Sequence, residues 1–63
     1  MSDFKNRLIK EQTGLQKKLD RLNSFLMSDK VKTINEVQES LLKVQVFAMA
    51  TYNQCLKERI GRL

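Results

Sequence analysis

Sixty-three residues, 41% hydrophobic and 30% charged, describe one small domain that folds rather than stays disordered. A core of that size supplies only about 3–5 kcal/mol unless it is stapled; the single cysteine excludes an intrachain disulfide and the absence of histidine a conventional zinc site, so oligomerisation is the staple that remains. Twelve Lys and Arg against seven Asp and Glu give a formal charge of +5 and a pI near 9.7, which favours anionic partners, and no apolar run approaches the ~18 residues of a membrane span.

The polar N-terminus lacks the apolar core of a signal peptide, so a cytoplasmic chain with reduced Cys55 is expected. With no proline and only Gly14 and Gly61 as glycines, little interrupts helix along the chain. The first helix is expected from about residue 3 to 27. Phe4, Leu8, Leu15, Leu19, Leu22 and Leu26 recur at spacings of 4, 7, 4, 3 and 4, which places them on one narrow stripe. Ser2 or Asp3 suits its N-cap, and Asp3 faces Arg7 one turn on. Gly14 costs this helix about 1 kcal/mol relative to alanine.

Opposite the leucines, Arg7, Lys10, Lys17, Lys18 and Arg21 fall within about 100° of arc, with Gly14 among them. Such a basic face suits a phosphate backbone, or an anion drawn close at Gly14. An outward helix face must be polar in any case, so the same charges also read as an ordinary solvated surface.

The register is lost across Met27–Asn35, where Ser, Asp, Thr and Asn cluster; this is the turn, about residues 28 to 35, with room for one short helical turn. Asn35 with Gln38, or Thr33 with Glu36, forms a capping-box signature for a second helix over about 36–60, and Gly61 stands where a C-terminal cap is expected. Residues 44–50, VQVFAMA, also alternate like a strand, but no second strand exists to pair with it. The fold class expected is all-α, a single antiparallel two-helix hairpin over residues 1–63.

The second helix is apolar nearly all round, whereas a surface helix shows one stripe. Leu42, Met49, Leu56 and Leu63 repeat every seven residues, Leu41, Ala48 and Cys55 run beside them, and Val37, Val44, Val46 and Phe47 lie further round. A hairpin partner covers one side only. The remainder calls for another copy of the chain, giving a homo-oligomer with Leu42, Val46, Met49 and Leu56 at the interface.

Enzyme signatures are missing: no histidine for a triad, no phosphate loop, no dinucleotide fingerprint, and Cys55 on an apolar stripe where a small buried hydrophobe is the plainer role. No catalysis, metal or cofactor is expected. A binding set is more promising. Gln38, Gln45, Tyr52 and Arg59 recur every seven residues beside the apolar seam. They suit a small anionic aromatic ligand, Tyr52 stacking on a base, Gln45 bonding its edge and Arg59 gripping a phosphate, with Lys57 and Arg62 raising the local potential. The alternative is that these groups bond one another across a symmetric interface and set its register, and that the C-terminal cations answer the helix dipole.

The run LLKVQVFAMATYNQCLKERI, Leu41 to Ile60, resembles a family of small proteins of unknown function carried by tailed phages and prophages and named after a crAss-like phage protein. Leu41, Leu42, Gln45, Met49, Tyr52, Leu56 and Arg59 carry the likeness, which extends to FLMSDK, Phe25 to Lys30, and to the leucine-spaced first helix. The resemblance implies a phage origin, hence the cytoplasm of a bacterial host, and no established activity. By architecture alone, small phage-borne hairpins that oligomerise are similar to nucleotide sponges, which bind the cyclic or ADP-ribose-type signals of host immunity. The expectation is therefore a non-enzymatic protein that sequesters an anionic nucleotide-like signal between subunits. The alternatives are a module that inhibits or adapts a host protein through its apolar face, and a nucleic-acid binder acting through the basic face.

Overall fold

The computed structural model describes residues 2–63, with the side chain of Ser2 left aside, so the capping role expected of Ser2 falls outside the described side chains. Two α-helices, α1 (Ser2–Met27) and α2 (Glu36–Gly61), pack against each other as an antiparallel hairpin joined by a 3-10 turn over Asp29–Thr33, and the described residues contain no strand.

The connection is held by its own short polar side chains. Ser28 donates its hydroxyl to the Phe25 carbonyl at 2.8 Å and accepts the Lys30 N–H at 3.2 Å, closing α1 and opening the 3-10 turn. Thr33 donates back to the Lys30 carbonyl at 2.6 Å. The cap of α2 is Asn35, whose side-chain oxygen accepts the Gln38 N–H at 2.8 Å while its carbonyl accepts the Glu39 N–H at 3.0 Å. Of the two capping signatures in the sequence, the one beginning at Asn35 supplies the N-cap bond and Thr33 serves the turn instead. At the other end the expected glycine cap does not form. Gly61 is the last residue of α2 with no positive φ, and Arg62 closes the helix by donating its N–H to the Glu58 and Arg59 carbonyls at 3.2 and 3.3 Å.

Leu8, Leu19 and Leu56 form the buried heart of the hairpin, flanked by the half-buried Leu15, Leu22 and Leu26 of α1. On α2 the inward positions are Leu42, Val46, Met49, Asn53, Leu56 and Ile60, spaced alternately by four and three, the seam of a coiled coil. This differs from the interface expected from sequence. The face that Leu42, Val46, Met49 and Leu56 offered to a second copy is the face that meets α1, because their seam carries Asn53, the partner of Gln12 and Gln16, and buries Leu56 completely.

One inward position on each helix is polar. The leucine repeat of α1 skips from Leu8 to Leu15, and Gln12 stands in the gap; opposite it Asn53 is buried, 5% exposed. The Gln12 amide donates to the Asn53 side-chain oxygen at 3.1 Å, and the Asn53 amide donates to the Gln16 side-chain oxygen at 2.8 Å. Every polar atom that this layer buries has a partner.

Candidate functional site

Antiparallel packing lays the start of α1 beside the end of α2, and a shallow cleft of about 290 Å³, open to solvent, lies there, lined by Phe4, Arg7, Leu8, Glu11 and Arg59. Arg7 and Arg59, from the two sets singled out in the sequence, thus share one depression although 52 residues separate them. Leu8 forms its apolar floor and Phe4, 47% exposed, offers an aromatic surface. Neither arginine forms an ion pair among the described residues: Arg7 donates its Nε–H to the Asp3 carbonyl at 3.4 Å, and the recorded pairs join Lys32 to Asp29, Lys43 to Glu39 and Arg62 to Glu58. The depression thus places beside one aromatic ring two guanidiniums that form no ion pair among the described residues.

Glu11 is the counterweight. It lines the same cleft and brings a negative charge among the two cations.

The remaining expected residues are placed as follows. Gln45 and Tyr52 are exposed on the flank of α2 that carries Arg59 toward the cleft, seven-residue spacing keeping all three on one side of the helix. Gln45 reaches Met49 Sδ at 3.8 Å, and Tyr52, 46% exposed, leaves its ring accessible. Gln38 is exposed as well, so this row is a surface rather than a buried seam; the polar group inside the seam is Asn53. Arg62 lies outside the cleft and pairs with Glu58 at 3.6 Å on an open surface.

On α1 the basic face is exposed throughout. Arg7, Lys10 and Lys17 border a broad open depression with Asp3, Asn6, Ile9, Thr13 and Gly14, and Lys18 and Arg21 lie beyond it. Every lining residue belongs to α1, so this depression has one wall and cannot enclose a small molecule. A Cβ built on Gly14 meets nothing within 4 Å, so the chain's own packing does not require glycine there.

Sequence reading had no signal for Phe4 and Glu11 as site residues. Phe4 continues the leucine stripe and Glu11 looks like one more solvated carboxylate; only the register of the hairpin puts them beside Arg59. The described residues contain no cluster able to hold a metal ion, and none of their helices is long and apolar enough to cross a membrane.

Comparison with known proteins agrees with the likeness to small phage helical proteins. A family model described as Sequestin matches residues 2–62. The chain is also 34% identical over 62 residues, 98% of its own length and 97% of the other's, to an uncharacterized 7.5 kDa protein of the denB-rIIB intergenic region of Enterobacteria phage T4. No solved structure matches. With the match spanning nearly every residue of both helices and the turn between them, this chain belongs to the Sequestin family.

Proposed function

We propose that the protein is a non-enzymatic phage binding protein that captures an anionic nucleotide-like signal of the host's immune response and withholds it from its receptor, working as a homo-oligomer in the host cytoplasm. The observation that carries the reading is the cleft at the open end of the hairpin, which Arg7 and Arg59, neither in an ion pair among the described residues, line together with Phe4. Phosphate is gripped by the guanidiniums, a base lies on Phe4 or on the exposed Tyr52 ring, and Glu11 and Gln45 address polar edges. The family's name, with its sense of sequestration, and the +5 charge point the same way. A cleft this small on one chain covers only part of a nucleotide, so the rest of the ligand meets a neighbouring subunit.

Native mass spectrometry and calorimetric titration with ADP-ribose and cyclic dinucleotides test this directly. Binding to a member of that panel is expected, with Arg59→Ala and Arg7→Ala each weakening it at least about tenfold while the helical circular dichroism is unchanged, since charge-assisted hydrogen bonds contribute about 1.5–3 kcal/mol. Failure of the whole panel to bind would sink the reading.

A second reading rests on a different observation: Val37, Leu41, Val44 and Phe47 are all more than half exposed on α2. In that reading a host protein occupies this face and is inhibited by it. Capture of one defined protein that Leu41→Asp abolishes and Arg59→Ala spares would favour it.

A further inference from the structure

Besides the seam that meets α1, α2 carries a second one. Val37, Leu41, Val44, Ala48, Thr51 and Cys55 follow one another at alternating spacings of four and three and stay within about 80° of arc, on the side of the helix opposite the first seam. All six are exposed, Val37 67%, Leu41 58% and Val44 66%. The one hydroxyl in the row is already satisfied: Thr51 donates to the Phe47 carbonyl at 3.2 Å, so its methyl can be buried without stranding a donor.

We infer that this seam is where a second copy of the chain docks, and that the two α2 helices run antiparallel. The size order along the row selects the orientation. Its first half is large (Val37, Leu41, Val44) and its second half small (Ala48, Thr51, Cys55). An antiparallel pair stacks Val37 on the partner's Cys55, Leu41 on the partner's Thr51 and Val44 on the partner's Ala48, one large and one small residue in every layer. A parallel pair stacks Leu41 on Leu41 and Ala48 on Ala48, crowding one end and leaving the other hollow.

Charge selects the same orientation. Glu36 lies at the start of α2 and Arg59 at its end, near the edges of this seam, so antiparallel pairing brings Glu36 toward the partner's Arg59 and also opposes the helix dipoles. The area fits a dimer as well. The chain exposes 5132 Å², about 900 Å² more than a compact monomer of 7.4 kDa, and a standard interface buries roughly 800 Å² per partner. Arg59 and Tyr52 lie at the border of this seam, so pairing leaves them at the rim.

The inference rests on the proposed self-association and adds to it the surface and the direction. Mild oxidation of the native chain and of cysteine variants tests both. In the antiparallel pair residue 55 lies against residue 37 of the partner, whereas the two Cys55 residues are some 27 Å apart along the axis, well beyond disulfide reach. Val37→Cys, a change at an exposed position, is expected to convert most of the chain to a covalent dimer on a non-reducing gel. The native chain and Val37→Cys/Cys55→Ser are expected to stay uncrosslinked, with sedimentation equilibrium showing that all three associate. Crosslinking of the native chain through Cys55 would establish a parallel pair and overturn the orientation. Association without any Val37→Cys crosslink would place the contact on another face and overturn the surface. A monomer at all concentrations would overturn the seam together with self-association, and nucleotide titration of that monomer would show whether sequestration stands without it.

Discussion

Asn53 is the only buried polar residue among those the structure describes, and it sets which turn of α1 faces which turn of α2. Its amide is satisfied by Gln12 on one side and Gln16 on the other, and a slip of the helices by one turn would take it away from one of the two and leave half of the amide unpaired in an apolar seam. Asn53→Ala is therefore expected to destabilise the fold by about 1–3 kcal/mol in urea unfolding. A double-mutant cycle with Gln12→Ala should give a coupling of at least about 0.5 kcal/mol; additive effects would show that Asn53 acts through packing alone. The sign that marks this layer is visible in the sequence once the structure has been seen. The gap between Leu8 and Leu15 holds Gln12, and the four-three repeat of α2 holds Asn53. Read separately, each is an isolated polar interruption, less conspicuous than the seven-residue repeat of Gln45, Tyr52 and Arg59.

Among the elements, α1 shows the amphipathic pattern of an ordinary surface helix and α2 does not, since α2 carries one seam for its hairpin partner and another that the chain leaves open. The caps decide where these helices begin and end. Asn35→Ala removes the acceptor for the Gln38 N–H and is expected to cost about 1 kcal/mol, read as a lower urea midpoint. Gly14 works in the opposite direction. Nothing in the chain obstructs a Cβ there and its φ is not positive, so Gly14→Ala should stabilise α1 by about 1 kcal/mol and raise Tm by some 4–8 °C. If an anion approaches α1 at Gly14, the same variant will bind it less well, a loss that filter binding of single-stranded DNA at low salt would detect. Unchanged DNA affinity would return the basic face to the role of a solvated surface.

As a whole the molecule is a rod of 46 × 15 × 13 Å, with a radius of gyration of 14.4 Å against about 11 Å for a compact chain of this length. Two helices make a single layer, and a single layer cannot surround the apolar residues of α2. Phe47 at 75% exposed and Val44 at 66% show how much is left uncovered. Thermal unfolding followed by circular dichroism is therefore expected to depend on concentration, Tm rising by about 5 °C for each tenfold increase as association adds to stability. A constant Tm would mean that the hairpin core suffices alone.

By itself the sequence determined the helices, the polar turn, the leucine stripe of α1 and the surplus of apolar surface on α2, because these follow from period, propensity and the spacing of short polar residues, all of them local. It also carried the phage kinship, through side chains spaced along α2. Only the tertiary structure decided which apolar seam of α2 meets α1, since two seams of similar hydrophobicity compete and the Gln12–Asn53–Gln16 layer matches just one. The same packing decided that Arg59 joins Arg7, Phe4 and Glu11 in one cleft. Contacts between residues some 40 to 50 positions apart depend on helix register, and register is a property of the packed pair rather than of either helix.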